Sequence, residues 1–312
     1  MPLLQQRPPR LWSIILAGKE DQSTHPWLQR FLGGQKPKPF CTFVGSRSML
    51  QHTWDRADQI SHPNCKITVV GKLYLHETCS QLGGRAPGTI LTEPKHYGMI
   101  PSLYLALTYL RTKDQDATVI AYPSDHFIFP ESRFLSTIQR AVLASERLPG
   151  HVVLVGVVPP RLNPRTVYIR PDRQLGWVST SPIYGVRELG VTPFSSELSN
   201  IHMERNFTNT SVLISKGEIL WQLGWKNLPA VMALFEEFKE AIGSSYEKAA
   251  LKRLYQQVKG HSFSLNALLQ GFDALAVMEL QGVTWSDWET PDQIIENLAT
   301  IGKQPLTSLK AS

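Results

Sequence analysis

Cysteine is scarce in this chain. The three present, Cys41, Cys65 and Cys79, form no CxxC pair. That excludes a disulfide framework and points to reduced thiols and a cytoplasmic setting, where the sequons at Asn206 and Asn209 carry no weight. Charge is thin as well: charged residues make up 19% of the sequence, below the usual share of about a quarter. No long Lys/Arg run marks a nucleic-acid arm; only Arg7–Arg10 and Lys303–Lys310 are locally basic. Long apolar runs are also missing. Nothing approaches the 18 or so residues of a membrane span, and Leu11–Ala17, followed by Lys19-Glu20-Asp21, reads as a first strand and not as a signal-peptide core. No GxGxxG follows that strand, which argues against a dinucleotide-binding oxidoreductase.

What remains is a chain of 312 residues, 42% hydrophobic, large enough for one substantial α/β domain. Its net charge of +6 suits a phosphorylated ligand. Apolar runs predict strands at Leu11–Ala17, Lys66–Gly71, Thr89–Thr92, Thr118–Tyr122 and His151–Val158. Helical spacing falls between them, over Ser48–Ile60, Glu77–Leu82, a stretch opened by Pro101, and Arg133–Arg147. Such alternation is the mark of a mostly parallel sheet covered on both faces. After Pro159 the short segments Val167–Arg170, Gly176–Thr180 and Ile183–Leu189 predict an antiparallel excursion. A strand at Ser211–Ser215 follows, then helices around Gly217–Leu223, Leu228–Ile242 and Tyr246–Val258, a strand at Leu275–Leu280 and a helix at Pro291–Ile301. The resulting division is a flexible N-terminus (1–10), one domain (11–302, with halves meeting near 158) and a basic tail (303–312), with no β-helical or cupin-like extension expected.

The stretch Thr118–Tyr122, Pro123, Ser124, Asp125, His126 is the most informative. In an open α/β sheet, ligands bind beyond the carboxyl ends of the strands, where a lone Asp is placed either to hold a divalent cation against a phosphate or merely to cap a turn. Other segments fall in order around it: Pro37-Lys38-Pro39-Phe40 after the first loop, Glu93-Pro94 at a strand end, Gly98-Met99-Ile100-Pro101 into a helix, Asn209 before a strand, and Trp285-Ser286-Asp287-Trp288 near the C-terminus.

In this order and at these intervals the chain resembles the sugar-1-phosphate nucleotidyltransferases, and within them the mannose-1-phosphate guanylyltransferase branch, from about Leu11 to Ile301. The resemblance implies a Rossmann-like nucleotide-diphospho-sugar transferase fold: a mostly parallel central sheet flanked by helices, with a small antiparallel substrate-side lobe. It implies transfer of a nucleotidyl group from an NTP such as GTP to a sugar 1-phosphate such as mannose 1-phosphate, with release of pyrophosphate. By the same resemblance Asp125 and Asp287 are Mg²⁺ ligands, and Lys38 and Asp125 serve catalysis. Ala17, Gly18, Glu93, Pro94, Gly98 and Pro101 surround the nucleotide, while Tyr168 and Asn209 face the sugar. The implied partners are the NTP and the sugar phosphate, with no nucleic acid and no membrane.

Read without the resemblance, each residue has a plainer role. Lys38 is a solvated loop lysine, Asp287 a turn residue before Pro291, Glu93 the partner of a surface lysine, and Asn209 a satisfied strand-end amide. Trp285 and Trp288 are core or cleft wall, and His126 is a packing residue.

The chain also departs from the family. The signature GGxGTRL loop appears as Ala17-Gly18-Lys19-Glu20-Asp21-Gln22-Ser23-Thr24-His25, keeping one glycine and placing two carboxylates where phosphates lie. The Glu-Lys-Pro segment appears as Val191-Thr192-Pro193, and Val167 replaces a strand glycine. Two readings therefore stand: an Mg²⁺-dependent nucleotidyltransferase, and a relative that keeps the fold as a binding or regulatory protein without turnover.

Overall fold

The computed structural model describes residues 11–18, 36–158, 167–191, 206–259 and 264–305. The loop that lacks the signature glycines, Lys19 to Gln35, and the Thr192-Pro193 segment lie outside the described residues, as does the basic tail beyond Pro305.

β1 (Leu11–Ala17) is the organising strand. It pairs in parallel with β2 (Lys66–Gly71) on one side and β4 (Thr118–Pro123) on the other, while β3 (Thr89–Glu93) extends the parallel run beyond β2. Past β4 comes β9 (Phe207–Lys216), antiparallel to both β4 and β6 (Val152–Val157). β10 (Leu275–Glu279) then pairs in parallel with β6. The order across these strands is β3-β2-β1-β4-β9-β6-β10, and a hairpin beyond β10 completes a nine-stranded sheet.

Alternation along β1 shows why the run Trp12-Ser-Ile-Ile-Leu-Ala17 is apolar almost throughout. Trp12, Ile14 and Leu16 join the core beneath one set of helices, and Ile15 and Ala17 join the core on the opposite face. The first face carries α3 (Met99–Lys113), α5 (Gly217–Asn227), α6 (Pro229–Ala241) and α7 (Glu247–Gln257). The second carries α1 (Met49–Asp58) and α4 (Glu131–Arg147). α1 starts on a capping box formed by Ser48 and Gln51. α2 (Leu75–Gln81) and α8 (Leu265–Leu269) are shorter, and α9 (Pro291–Thr300) has its own capping box, Thr290 with Gln293.

The antiparallel excursion is a long hairpin, β7 (Val167–Val178) with β8 (Ser181–Val191), joined to the main sheet through β10 and back to β9. The segments Val167–Arg170 and Gly176–Thr180 lie largely in one strand; register shifts between Arg170 and Gly176 interrupt its pattern and make it look like two. Asn209 lies inside β9, not before it, next to a left-handed Ser211 (φ 57°). Pro101 stands in the first turn of α3, which opens two residues earlier, directly after Gly98.

A second, two-stranded sheet has no counterpart in the sequence reading. β5 (Phe127–Phe129) pairs antiparallel with β11 (Thr284–Ser286), Phe127 opposite Ser286. This ladder ties the chain after β4 to the segment before α9, over a small core of Cys41, Phe43, Met49, Phe127, Trp288, Ile294 and Leu298.

Candidate active site

The carboxyl ends of β1, β3 and β4 carry two clusters of polar side chains, one around Asp125 and one around Glu93.

Asp125 leaves β4 at a bend held by Ser124, whose backbone N–H and hydroxyl both donate to the Leu16 carbonyl, at 3.2 and 2.8 Å. The β5–β11 ladder then brings Asp287 to the same place, because the partners Phe127 and Ser286 lie just beyond Asp125 and just before Asp287. Trp288 anchors the arrangement. Its backbone is left-handed (φ 48°), its ring stacks on Phe127 at 4.6 Å and meets Phe43 edge-on at 5.0 Å, and its indole N–H donates to Asn297. It is core and not a base platform.

Lys38 joins the two acidic segments. It opens a 3₁₀ turn between Pro37 and Pro39 and is only 6% exposed. Its ammonium lies 3.3 Å from Asp125 Oδ2 and donates to the Asp287 carbonyl at 2.6 Å. A solvated loop lysine is ruled out by this burial; the desolvated charge is matched by a desolvated carboxylate. Burial, then the nearby Glu289, pushes the pKa of the Asp287 carboxyl above its ordinary value. Asp125 adds to that push and Lys38 opposes it. Asp125 and Asp287 thus both bear on Lys38, while Glu289 bears on Asp287. Asp125 and Asp287 are hard oxygen donors of the kind Mg²⁺ takes alongside phosphate oxygens and water, and no group of three or more candidate ligands occurs among the described residues. His126 packs edge-on against Trp285 at 5.1 Å, with Nε2 3.8 Å from Asp125 Oδ1.

The second cluster lies beside Gly18. Glu93, at the end of β3, is fully buried. Its Oε2 accepts from Ser102 at 2.8 Å and from Tyr255 at 3.0 Å, and its Oε1 lies 2.7 Å from His96 Nδ1. Pairing with a surface lysine is thereby overturned. Burial, followed by the neighbouring Glu93, holds the Tyr255 phenol well above its ordinary range, which keeps it a donor. A Cβ at position 18 would fall on Glu93 Oε1 and 2.6 Å from His96 Nδ1, so glycine is required there by close approach. Gly98 caps α3 at φ 103°, a conformation glycine favours. Ala17 is buried in β1, Pro94 is exposed, and Pro101 is buried in α3.

The structure thus gathers Lys38, Asp125 and Asp287 in one place and Gly18 and Glu93 in another. Asn209 sits at the same sheet edge, since Ala121 pairs with Leu213 and the antiparallel strands run from there toward residues 125 and 209. It is buried and accepts from the Ser211 backbone N–H. Tyr168 lies on β7 with its ring over Gly190 and its hydroxyl donating to Glu188 at 2.6 Å. Sequence reasoning missed Ser124, Glu289, His96, Ser102 and Tyr255. Only His96 and Ser102 carried a signal, in their spacing of three and nine residues from Glu93. Cys41 lies beneath the Lys38 turn, its thiol pushed up to about 12 by burial, which makes it inert.

No protein-family model matches the chain. The xanthan biosynthesis protein XanB of Xanthomonas campestris is 27% identical over 217 residues, 68% of this chain and 42% of XanB, so the chain spans less than half of that relative's length. Among solved structures, a mannose-1-phosphate geranyltransferase from Thermus thermophilus matches with a TM-score of 0.76 at 17% identity, over 95% of this chain and 80% of that one. A mannose-6-phosphate isomerase from Helicobacter pylori matches with a TM-score of 0.68 at 15% identity, over 89% of this chain and 99% of that one. These structures share the chain's fold, a mixed α/β architecture with a large, mostly parallel central sheet and a small antiparallel sheet. No described helix is long and apolar enough to cross a membrane.

Proposed function

We propose that the protein transfers a nucleotidyl group from an NTP to a sugar 1-phosphate, with Mg²⁺ held by Asp125 and Asp287. The observation that supports this most is the meeting of buried Lys38 with Asp125 and the Asp287 segment at the carboxyl edge of the sheet, the edge where open α/β folds bind ligands. In this reaction an oxygen of the sugar phosphate attacks the α-phosphorus in line. A new P–O bond forms, the bond from that phosphorus to the oxygen bridging to the β-phosphate breaks, and pyrophosphate leaves with the electron pair. The chemistry asks for positioning and for positive charge where negative charge develops. Lys38 supplies one such charge, held in place by two partners. Bound Mg²⁺ supplies further charge neutralisation at the phosphate oxygens. GTP and mannose 1-phosphate are the substrates we propose to try first, in line with the guanylyltransferase resemblance.

A second reading rests on the loop after β1, where the signature glycines other than Gly18 and the arginine are missing and Glu20 and Asp21 add negative charge. A chain so altered would bind nucleotide without turning it over. One assay separates the two readings. The protein is incubated with Mg²⁺, each NTP in turn and mannose or glucose 1-phosphate, and pyrophosphate is measured. Release above an Asp125→Ala control supports transfer. Release no greater than that control for every NTP, with nucleotide affinity retained, leaves the binding role.

A further inference from the structure

Glu93 is the most deeply buried carboxylate among the described residues, and a carboxylate can only accept hydrogen bonds. Its three partners differ in one respect. Ser102 and Tyr255 are almost as inaccessible as Glu93 itself, whereas the His96 side chain is 20% exposed. His96 is thus the partner of Oε1 that solvent can reach, and Gly18 closes the remaining approach so tightly that a methyl group would not fit. A ligand that seeks the carboxylate must take the place of the imidazole.

We propose that His96 is a specificity gate: a displaceable stand-in for the donor edge of a nucleobase, and of guanine in particular, which swings out when the base binds Glu93. The inference rests on the nucleotidyltransferase reading. Guanine presents two adjacent N–H donors on one edge, matching an acceptor-only carboxylate. Adenine and cytosine each put a ring acceptor there, and uracil flanks its one N–H with carbonyls, so each sets an oxygen or nitrogen lone pair against Glu93. The gate also limits affinity, because guanine gains the Glu93 contact only after the imidazole has lost it.

The test is calorimetric titration of the wild type, His96→Ala and Glu93→Gln with guanosine and, separately, with inorganic tripolyphosphate plus Mg²⁺. Opening the gate should tighten guanosine about tenfold in His96→Ala, and Glu93→Gln should lose it, with tripolyphosphate affinity equal in all three. Guanosine affinity that is unchanged or weaker in His96→Ala overturns the proposal. Should that variant fold poorly, ¹⁵N imidazole spectra of the wild type decide: the Nδ1–H signal of His96 must leave its carboxylate-bonded position as millimolar guanosine is added, and a signal that stays put overturns the gate. Binding of tripolyphosphate without guanosine in any form sinks the gate alone. Binding of neither sinks the nucleotidyltransferase reading with it.

Discussion

Two polar clusters share one edge of the sheet, yet they are built in opposite ways. Around Glu93 a single carboxylate is supplied with donors by His96, Ser102 and Tyr255. Around Asp125, among the described residues, the Asp125 and Asp287 carboxyls share one buried lysine, and the Asp287 carboxyl is pushed toward its neutral form. The first cluster gathers donors about one acceptor. The second gathers negative charge about one cation. A buried acceptor with its donors in place is stable as it stands, whereas crowded carboxyl groups with a raised pKa mark a place that gains from a further cation. Under the proposed function the metal and phosphates belong at the Asp125 end, and the Glu93 end is the one that must open.

The largest way to break this contrast is to remove its scaffold. Trp288→Ala deletes the ring that stacks on Phe127 and should cost about 3–5 kcal/mol of stability, read as a fall in the urea midpoint. Trp288→Phe keeps most of that stack and should cost far less. Next comes Lys38→Met, which keeps the bulk of the side chain and removes its charge. It should lower kcat for pyrophosphate release by about 10²–10³, with little change in guanosine affinity. Equal loss of both would mean that the two clusters are not separable.

Much of this scaffold was legible from the chain itself. β1, β4 and β6 are continuous apolar runs because both faces of each are covered, and Asp125 stood out because it follows such a run directly. The β5–β11 ladder was not legible. Three residues on each strand give no period to read, and the pairing depends on contacts between distant parts of the sequence. For the same reason the burial of Lys38 could not be seen: its partners at Asp125 and Asp287 come from remote segments. Tyr255 likewise reaches Glu93 from α7, with nothing in its own neighbourhood to announce the role. The sequence places Asn209 ahead of its strand, because the left-handed Ser211 within β9 is not a glycine and gives no warning of the bend.

The smallest expected effect sharpens the comparison most finely. A carboxyl whose folded pKa is raised holds its proton in the folded state at pH values where the unfolded chain has lost it. Stability from Asp287 is therefore greatest in acid and falls as pH rises from the ordinary carboxylate value through the raised one. Asp287→Asn removes this penalty. The variant should be slightly more stable than the wild type at neutral pH, and the difference should vanish in acid, as urea melts across that range would show. Mg²⁺ with a nucleotide should reverse the order by stabilising only the wild type.

The proposal that Asp125 and Asp287 form one cation-binding centre is open to a direct count. Mn²⁺ serves as a paramagnetic replacement for Mg²⁺, and electron paramagnetic resonance counts the bound ion directly in the presence of tripolyphosphate. One bound Mn²⁺ per chain is predicted, lost in Asp125→Asn and in Asp287→Asn alike. Binding that survives both substitutions, or that is absent from the wild type, would mean that the two carboxylates do not form such a centre.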